Sequence, residues 1–366
     1  MSLSRRQFIC GASQAALAAW LLPACTTQKA EQWLVSTCND QQGQSMAAAI
    51  NNQGQIVSTV KLPARGHDSL ALPHKPGHAL VFARRPDRFA LEIDFINAKV
   101  VSHIQSQQDT HFYGHGVFSK DRQYLFTTEN QYDKKRGLVV VRDAQNYQVL
   151  DRYDSGGIGP HEIALMPDGN TLVIANGGIE THPNQPRKKL NIESMRPNLA
   201  YLDINSGKIT ASFAPPDKQL SLRHLSVRHD GAVFVGAQYQ GPKASIQPLV
   251  FSHHGEQQLQ AFHASQAQLF KMQQYTASLV VKDSLLCVSC PRGSHLSFWD
   301  TTTHSYINQQ PFRDVSGLAY SDGSLLASSG KGLLKKLNYF DPITGPAGIN
   351  TLALKFDNHM TMIDAA

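Results

Sequence analysis

A strand–turn–strand unit that opens on histidine and recurs along the chain is what most constrains the fold. HEIALMPDGNTLVIANGG (His161–Gly178) has an apolar run, a Pro-Asp-Gly-Asn turn and a second apolar run. Aligned on His161, equivalent units begin at His67, His115, His224, Ser278 and Ser316, with polar turns at Asp121, Asp168, Asp230, Asp283 and Asp322. A second hairpin follows most copies, as in GLVVVRDAQNYQVLDRY and LSFWDTTTHSYINQ. Helical periodicity is nearly absent, and short apolar runs between turn residues read as strands. Four short strands per unit, with unit starts 48, 46, 63, 54, 38 and 43 residues apart once His359 is included, is the pattern of propeller blades.

The two ends of the chain complete the count. Trp33–Ser36 reads as a second strand lacking its first, and Asp357–Ile363 as a first strand with nothing after it. Joined, they form one blade. The expectation is an all-β, seven-bladed propeller of four-stranded blades over residues 31–366, closed by both chain ends, which removes exposed sheet edges.

Residues 1–25 stand outside that pattern. Ser4-Arg5-Arg6-Gln7-Phe8-Ile9 is a twin-arginine export signature, followed by an apolar stretch too short and alanine-rich for a membrane span. Export to the periplasm is therefore expected, by a route that carries folded proteins and favours a prosthetic group. Leu22-Pro23-Ala24-Cys25 resembles a lipobox, which would place a lipid on Cys25; cleavage and release is the alternative. Removing residues 1–24 takes away Arg5 and Arg6 and no acid, so the formal charge falls from +6 to +4. No dense Lys/Arg block is present, which argues against nucleic acid as a partner. Cys25, Cys38, Cys287 and Cys290 are too few for a disulfide scaffold. Cys287 and Cys290 lie three apart on a strand, on opposite faces, and should not grip one metal together.

In a propeller the first strand of each blade lines the channel, and its start meets the end of the second strand at one mouth. The starts are His67, His115, His161, His224 and His359 on five consecutive blades, with Ser278 and Ser316 completing the ring. The aligned second-strand ends are Arg85, Glu129, Asn176, Gln238 and Cys38. Neutral imidazoles beside a carboxylate and a thiol make a transition-metal site. The five histidines with Glu129 and Cys38 are the candidate ligands, for iron or copper, although one ion does not take all of them. The same histidines could instead be structural caps inherited by repeated blades, hydrogen-bonded to backbone. The insertion Gly177–Asn198 carries His182, Arg187, Lys188, Lys189 and Arg196 and is long enough to cover the mouth. It reads either as a lid or as a brace between blades. As a lid, its cations favour an anionic chelate or acidic partner, with Arg85, Asn176, His182, Arg187 and Gln238 as the candidate binding residues.

The string GIGPHEI through ANGGIETHP, KLN and PNL, with LSLRHLSV and the N-terminal SRRQFI, resembles an uncharacterised family of twin-arginine-exported bacterial propellers of unknown function. That resemblance spans the chain beyond the leader and implies an accessory role beside imelysin-type iron-uptake and redox proteins. It assigns no catalytic residue. PHEIALMPDGNTLVIANGG is more distantly similar to surface-layer and lactonase-type propeller repeats. The histidine-rich mouth is also similar to the propeller of nitrous-oxide reductase, where blade-start histidines hold copper; that enzyme's second copper domain has no counterpart here.

Three functions remain open on the sequence. One is metal or metal-chelate binding in periplasmic iron or copper handling. The second is a metal-dependent lactonase-like hydrolase or oxidoreductase, with Glu129 or Glu162 as general base. The third is a docking scaffold with structural histidines. Neither a Gly-x-Ser-x-Gly nor a His-Glu-x-x-His motif occurs.

Overall fold

The computed structural model describes residues 31–365 apart from 186–187, 322, 339–340 and 342–346. The export and lipidation motifs, Arg187 and Asp322 lie outside the described residues. Seven antiparallel sheets follow one another along the chain, as the repeat requires. Blades 1 to 6 begin with the inner strands Gly66–Ala71, Thr110–Phe118, Pro160–Leu165, Leu220–Val227, Leu279–Lys282 and Val315–Ser321. Each continues outward through three more antiparallel strands in chain order.

Blade 7 is built from both chain ends. Gln32–Asn39 is its second strand, and Thr361–Asp364 pairs inside it with Trp33 opposite Ile363 and Leu34 opposite Met362. Lys355–Phe356 pairs with the far end of the same strand, Cys38 opposite Phe356. Inner strands touch their neighbours around the ring, which closes where Thr361–Asp364 meets Gly66–Ala71 and Val315–Ser321.

Burial follows from the layering. Second strands such as Val233–Tyr239 are covered on both faces by neighbouring blades and are apolar almost throughout. Fourth strands such as Lys99–Gln105 and Lys208–Phe213 have one wet face and alternate accordingly. Apolar clusters therefore lie between adjacent blades. Cys287 and Cys290 are free thiols in different clusters of this kind. The strand-only reading misses one helix, Gln266–Lys271, which follows blade 4; Ser265 caps it through Gln268 in a capping box.

Five of the six inner strands of blades 1 to 6 share one irregularity, while Leu279–Lys282 pairs in unbroken register. Pairing with the second strand shifts register between Gly66 and Ser69, Phe112 and Gly116, Pro160 and Glu162, Leu222 and Leu225, and Val315 and Leu318. In blade 7 the inner strand is interrupted between Phe356 and Thr361. Every blade-start histidine sits inside one of these breaks. A bulge frees a residue from the pleat's alternation and re-aims its side chain.

Candidate functional site

The bulges send all five imidazoles to one place. Ring centroids lie 4.5 Å apart for His161–His224 and His224–His359, 4.6 Å for His115–His359, 5.0 Å for His67–His115 and 6.1 Å for His67–His224. Most pairs meet edge-on or tilted. Hydroxyls pin the bulged backbone: Ser36 Oγ donates to the His359 carbonyl at 2.7 Å, Thr37 Oγ1 to that of His67 at 3.1 Å and Thr128 Oγ1 to that of His115 at 3.2 Å. Gly114 is required beside the bulge of blade 2. Its φ is +108°, and a Cβ there would stand 2.3 Å from His67 Cδ2.

Three carboxylates stand behind the rings. Asp68 Oδ2 is 3.1 Å from His115 Nδ1, and its Oδ1 is 3.8 Å from His359 Nδ1. Glu162 Oε2 is 3.0 Å from His224 Nδ1 and also accepts the Leu225 amide at 3.0 Å. Asp357 Oδ1 lies 3.5 Å from His67 Nδ1. An ionised carboxylate only accepts hydrogen bonds, so Nδ1 of His115, facing Asp68, carries the proton and the lone pair of the neutral ring sits on Nε2; Glu162, whose pKa burial raises, faces His224 Nδ1 in the same position. Nε2 of His115, His224 and His359 is buried and has no hydrogen-bond partner, as is Nδ1 of His161. The pattern crosses blades: the acid after each of His67 and His161 holds the histidine that starts the following blade.

Donor atoms of His115, His224 and His359 lie within 4.8 Å of one another, as do those of His67, His115 and His161. His115 belongs to both groups. Since an imidazole nitrogen has one lone pair, the groups are two faces of one site around His115.

Burial holds the pKa of His67, His161 and His224 well below the ordinary imidazole value and that of His359 at about 3, so these rings are neutral at pH 7. His115 moves up: burial opposes its charge, but the bond to Asp68 and the charge of Glu162 outweigh it. Burial of Asp68 and Asp357 is likewise overcome by their cationic and imidazole partners, which pull both below the carboxylate range.

The other residues expected at the mouth are distributed differently. Glu129 is not with the histidines. Its Oε1 accepts from Arg142 Nη2 at 2.6 Å and its Oε2 from Thr110 Oγ1 at 3.0 Å, in a buried ion pair within blade 2. Strand alternation explains this, because Glu129 points across the blade's face toward the third strand. Cys38 packs among Leu34, Ala48, Phe356 and Met360, and burial, with Asp357 and Asp40, pushes its thiol up to about 12. It is thus outside both donor groups and poorly disposed to ionise. Asn176 spends its amide on Ser155 and Asn198. His182 faces Asp133 at 3.3 Å and meets the edge of Tyr132, away from the cluster. Arg85 and Gln238 do reach the mouth. They line a cavity of about 40 Å³ with His67, His161, Arg84, Arg223, Tyr113, Tyr275 and Asn358.

Sequence reasoning missed Asp68 and Asp357 as partners of the rings and weighed Glu162 only as a general base. The signal for two of them was present: His67-Asp68 and His161-Glu162 are aligned His-acid pairs in the repeat. Asp357 has no such parallel. Arg223 was hidden because it falls in a bulge, where a strand reading assigns it no direction.

Five inward imidazoles, backed by carboxylates and reached through an arginine-lined opening, define a propeller with a histidine hub on its axis. Residues 60–363 match the family described as protein of unknown function DUF1513, and the chain belongs to that family. No protein with a curated description matches it. Among solved structures it is similar to hydrazine synthase of Kuenenia stuttgartiensis, at 15% identity and a TM-score of 0.58, covering 85% of this chain and 91% of that one. At that identity the likeness is one of fold.

Proposed function

We propose that the histidine hub binds a transition metal ion and that the protein serves metal handling outside the cytoplasm. The observation that carries the reading is the set of buried, unpartnered Nε2 atoms on His115, His224 and His359, with Nδ1 of His115 and His224 held by Asp68 and Glu162 and that of His359 3.8 Å from Asp68. Metal-ligating histidines donate their second nitrogen to a carboxylate in this manner, which fixes the tautomer and raises ligand basicity. A buried unpaired acceptor costs about 1–3 kcal/mol, a cost that a metal ion held by the three converging nitrogens would relieve. An imidazole-rich donor set suits copper, iron or zinc over magnesium or calcium; iron or copper is the proposed cargo. The twin-arginine motif at Arg5-Arg6 supports delivery to the periplasm, and the lipobox-like site at Cys25 supports a membrane tether.

Binding is favoured over catalysis because the carboxylates weighed as general bases are engaged. Glu129 is neutralised by Arg142, and Glu162 holds His224 and the Leu225 amide. Metal analysis of untagged protein purified from the periplasm tests the reading, together with titration of copper(II) and iron(II) into chelator-stripped protein. About one equivalent of saturable binding is expected, abolished by His115→Ala and unchanged in His304→Ala. Metal-free protein that takes up neither ion would return the hub to a structural role.

A further inference from the structure

Three arginines converge on the cavity above the hub. Arg84, Arg85 and Arg223 line it, with the Tyr113 and Tyr275 rings between them. Arg85 lies over Tyr113 at 5.9 Å, and Arg292 covers Tyr275 at 4.3 Å. Lys189, from the loop inserted in blade 3, reaches the same rim and donates to Gln240. The acid nearest the opening, Asp357, is shared among Arg65, Arg84 and His67.

Arg223 is the anomaly. It is only 6% exposed, its Nε is buried without a hydrogen-bond partner, and no carboxylate pairs with it among the described residues. Arg84 and Arg85 line the same cavity and add like charge to it. Lys189 adds to this positive field: its own charge is opposed by burial and then by Arg223, Arg292 and Arg85. A buried guanidinium without a partner is among the costliest arrangements in a protein, and an incoming anion relieves it. Guanidinium forks match oxygens that share one centre.

We infer that Arg84, Arg85 and Arg223 form a binding site for a small oxyanion or carboxylate directly over the histidine hub. The cavity is small, about 40 Å³, which suits a compact anionic group. His67 and His161 belong both to the cavity wall and to the hub, so the bound anion would rest against the imidazoles. Gln238 and Asn358 complete the lining, with Gln238 Nε2 donating to the Thr276 carbonyl at 3.2 Å. The site needs no metal, because its charges are the chain's own.

Chelator-stripped full-length mature protein is titrated calorimetrically with sodium sulfate and, separately, sodium acetate, in a buffer of bulky anions. One-to-one saturable binding of either probe is expected, weakened at least tenfold in Arg223→Gln and in Arg85→Gln and unchanged in Lys120→Gln. The stronger probe distinguishes a tetrahedral oxyanion from a planar carboxylate. Arg85→Gln, at the cavity rim, provides the test if Arg223→Gln does not fold. Absence of saturation by both anions, or equal affinity in wild type and both arginine variants, would overturn the assignment. Metal uptake is measured on the same preparations, so wild-type protein that binds metal but neither anion condemns this site and leaves the hub standing.

Discussion

Asp68→Asn is the perturbation that separates a metal hub from a set of packed histidines. Among the described residues, Asp68 is the one carboxylate that addresses two of the rings, at 3.1 Å from His115 Nδ1 and 3.8 Å from His359 Nδ1. Asparagine keeps the shape and one acceptor oxygen but removes the charge. A hydrogen bond to a charged partner is worth about 1.5–3 kcal/mol against about 0.5–1.5 for a neutral one, so the His115 contact alone loses about 1–2 kcal/mol. The His359 contact adds to this once a cation raises the charge on that ring. The expected total is a 10–100-fold loss of metal affinity, the range found when carboxylates behind ligating histidines are removed. Competition against a chelator of known affinity at pH 7.5 reads it directly. Asp300→Asn, in a blade 5 turn, makes the same charge change away from the hub and should leave affinity alone. If Asp68→Asn binds metal as tightly as the wild type while His115→Ala does not bind it, the carboxylate does not orient the ligands.

The metal-free protein should lose stability between pH 8 and 5. Burial keeps His359 neutral down to about pH 3, so the unfolded chain takes a proton near 6.5 that the fold refuses. At pH 5 this costs about 2 kcal/mol for that ring, with His67, His161 and His224 acting in the same sense and His115 opposing them. Urea unfolding checks it: bound metal should flatten the profile, and a flat metal-free profile would contradict the burial argument. Arg142→Met leaves Glu129 buried without its partner and should destabilise by about 3–5 kcal/mol in urea unfolding, with metal affinity unchanged. Deleting residues 357–366 removes the inner strand of blade 7 and the buried Met360 and Ile363; a loss of roughly 3–6 kcal/mol is expected, and a truncated chain that melts like the full one would refute closure by the two ends. Arg5→Lys with Arg6→Lys should leave unprocessed precursor in the cytoplasm, seen by fractionation and immunoblotting.

The fold was legible because a propeller repeats its grammar. Each blade must supply a doubly buried second strand and a half-wet fourth strand, and both leave periodic traces, as in Val233–Tyr239 and Lys208–Phe213. The half-blades at Trp33 and Ile363 were readable for the same reason: each lacks what the other provides. The helix at Gln266 was not, because six residues give too short a window for its period to emerge; only Ser265 and Gln268 announced it.

The site was legible in its histidines and illegible in what supports them, and the bulge accounts for both. A blade-start residue recurs at a fixed place in the alignment, so His67 and His161 were found by position alone. Alternation then misplaced their neighbours, since it assumes an unbroken pleat. Glu129, on a regular strand, followed the pleat into the blade and met Arg142. Asp68, inside a register break, escaped it and reached rings from two other blades. Arg223, inside the break before His224, was turned toward the opening. A residue's meaning in this chain therefore depends on whether it precedes, occupies or follows a bulge. The aligned His-acid pairs at 67–68 and 161–162 are the sequence trace of that rule, because a ligand and the carboxylate for the next blade's ligand can be adjacent in sequence only where the strand is broken between them.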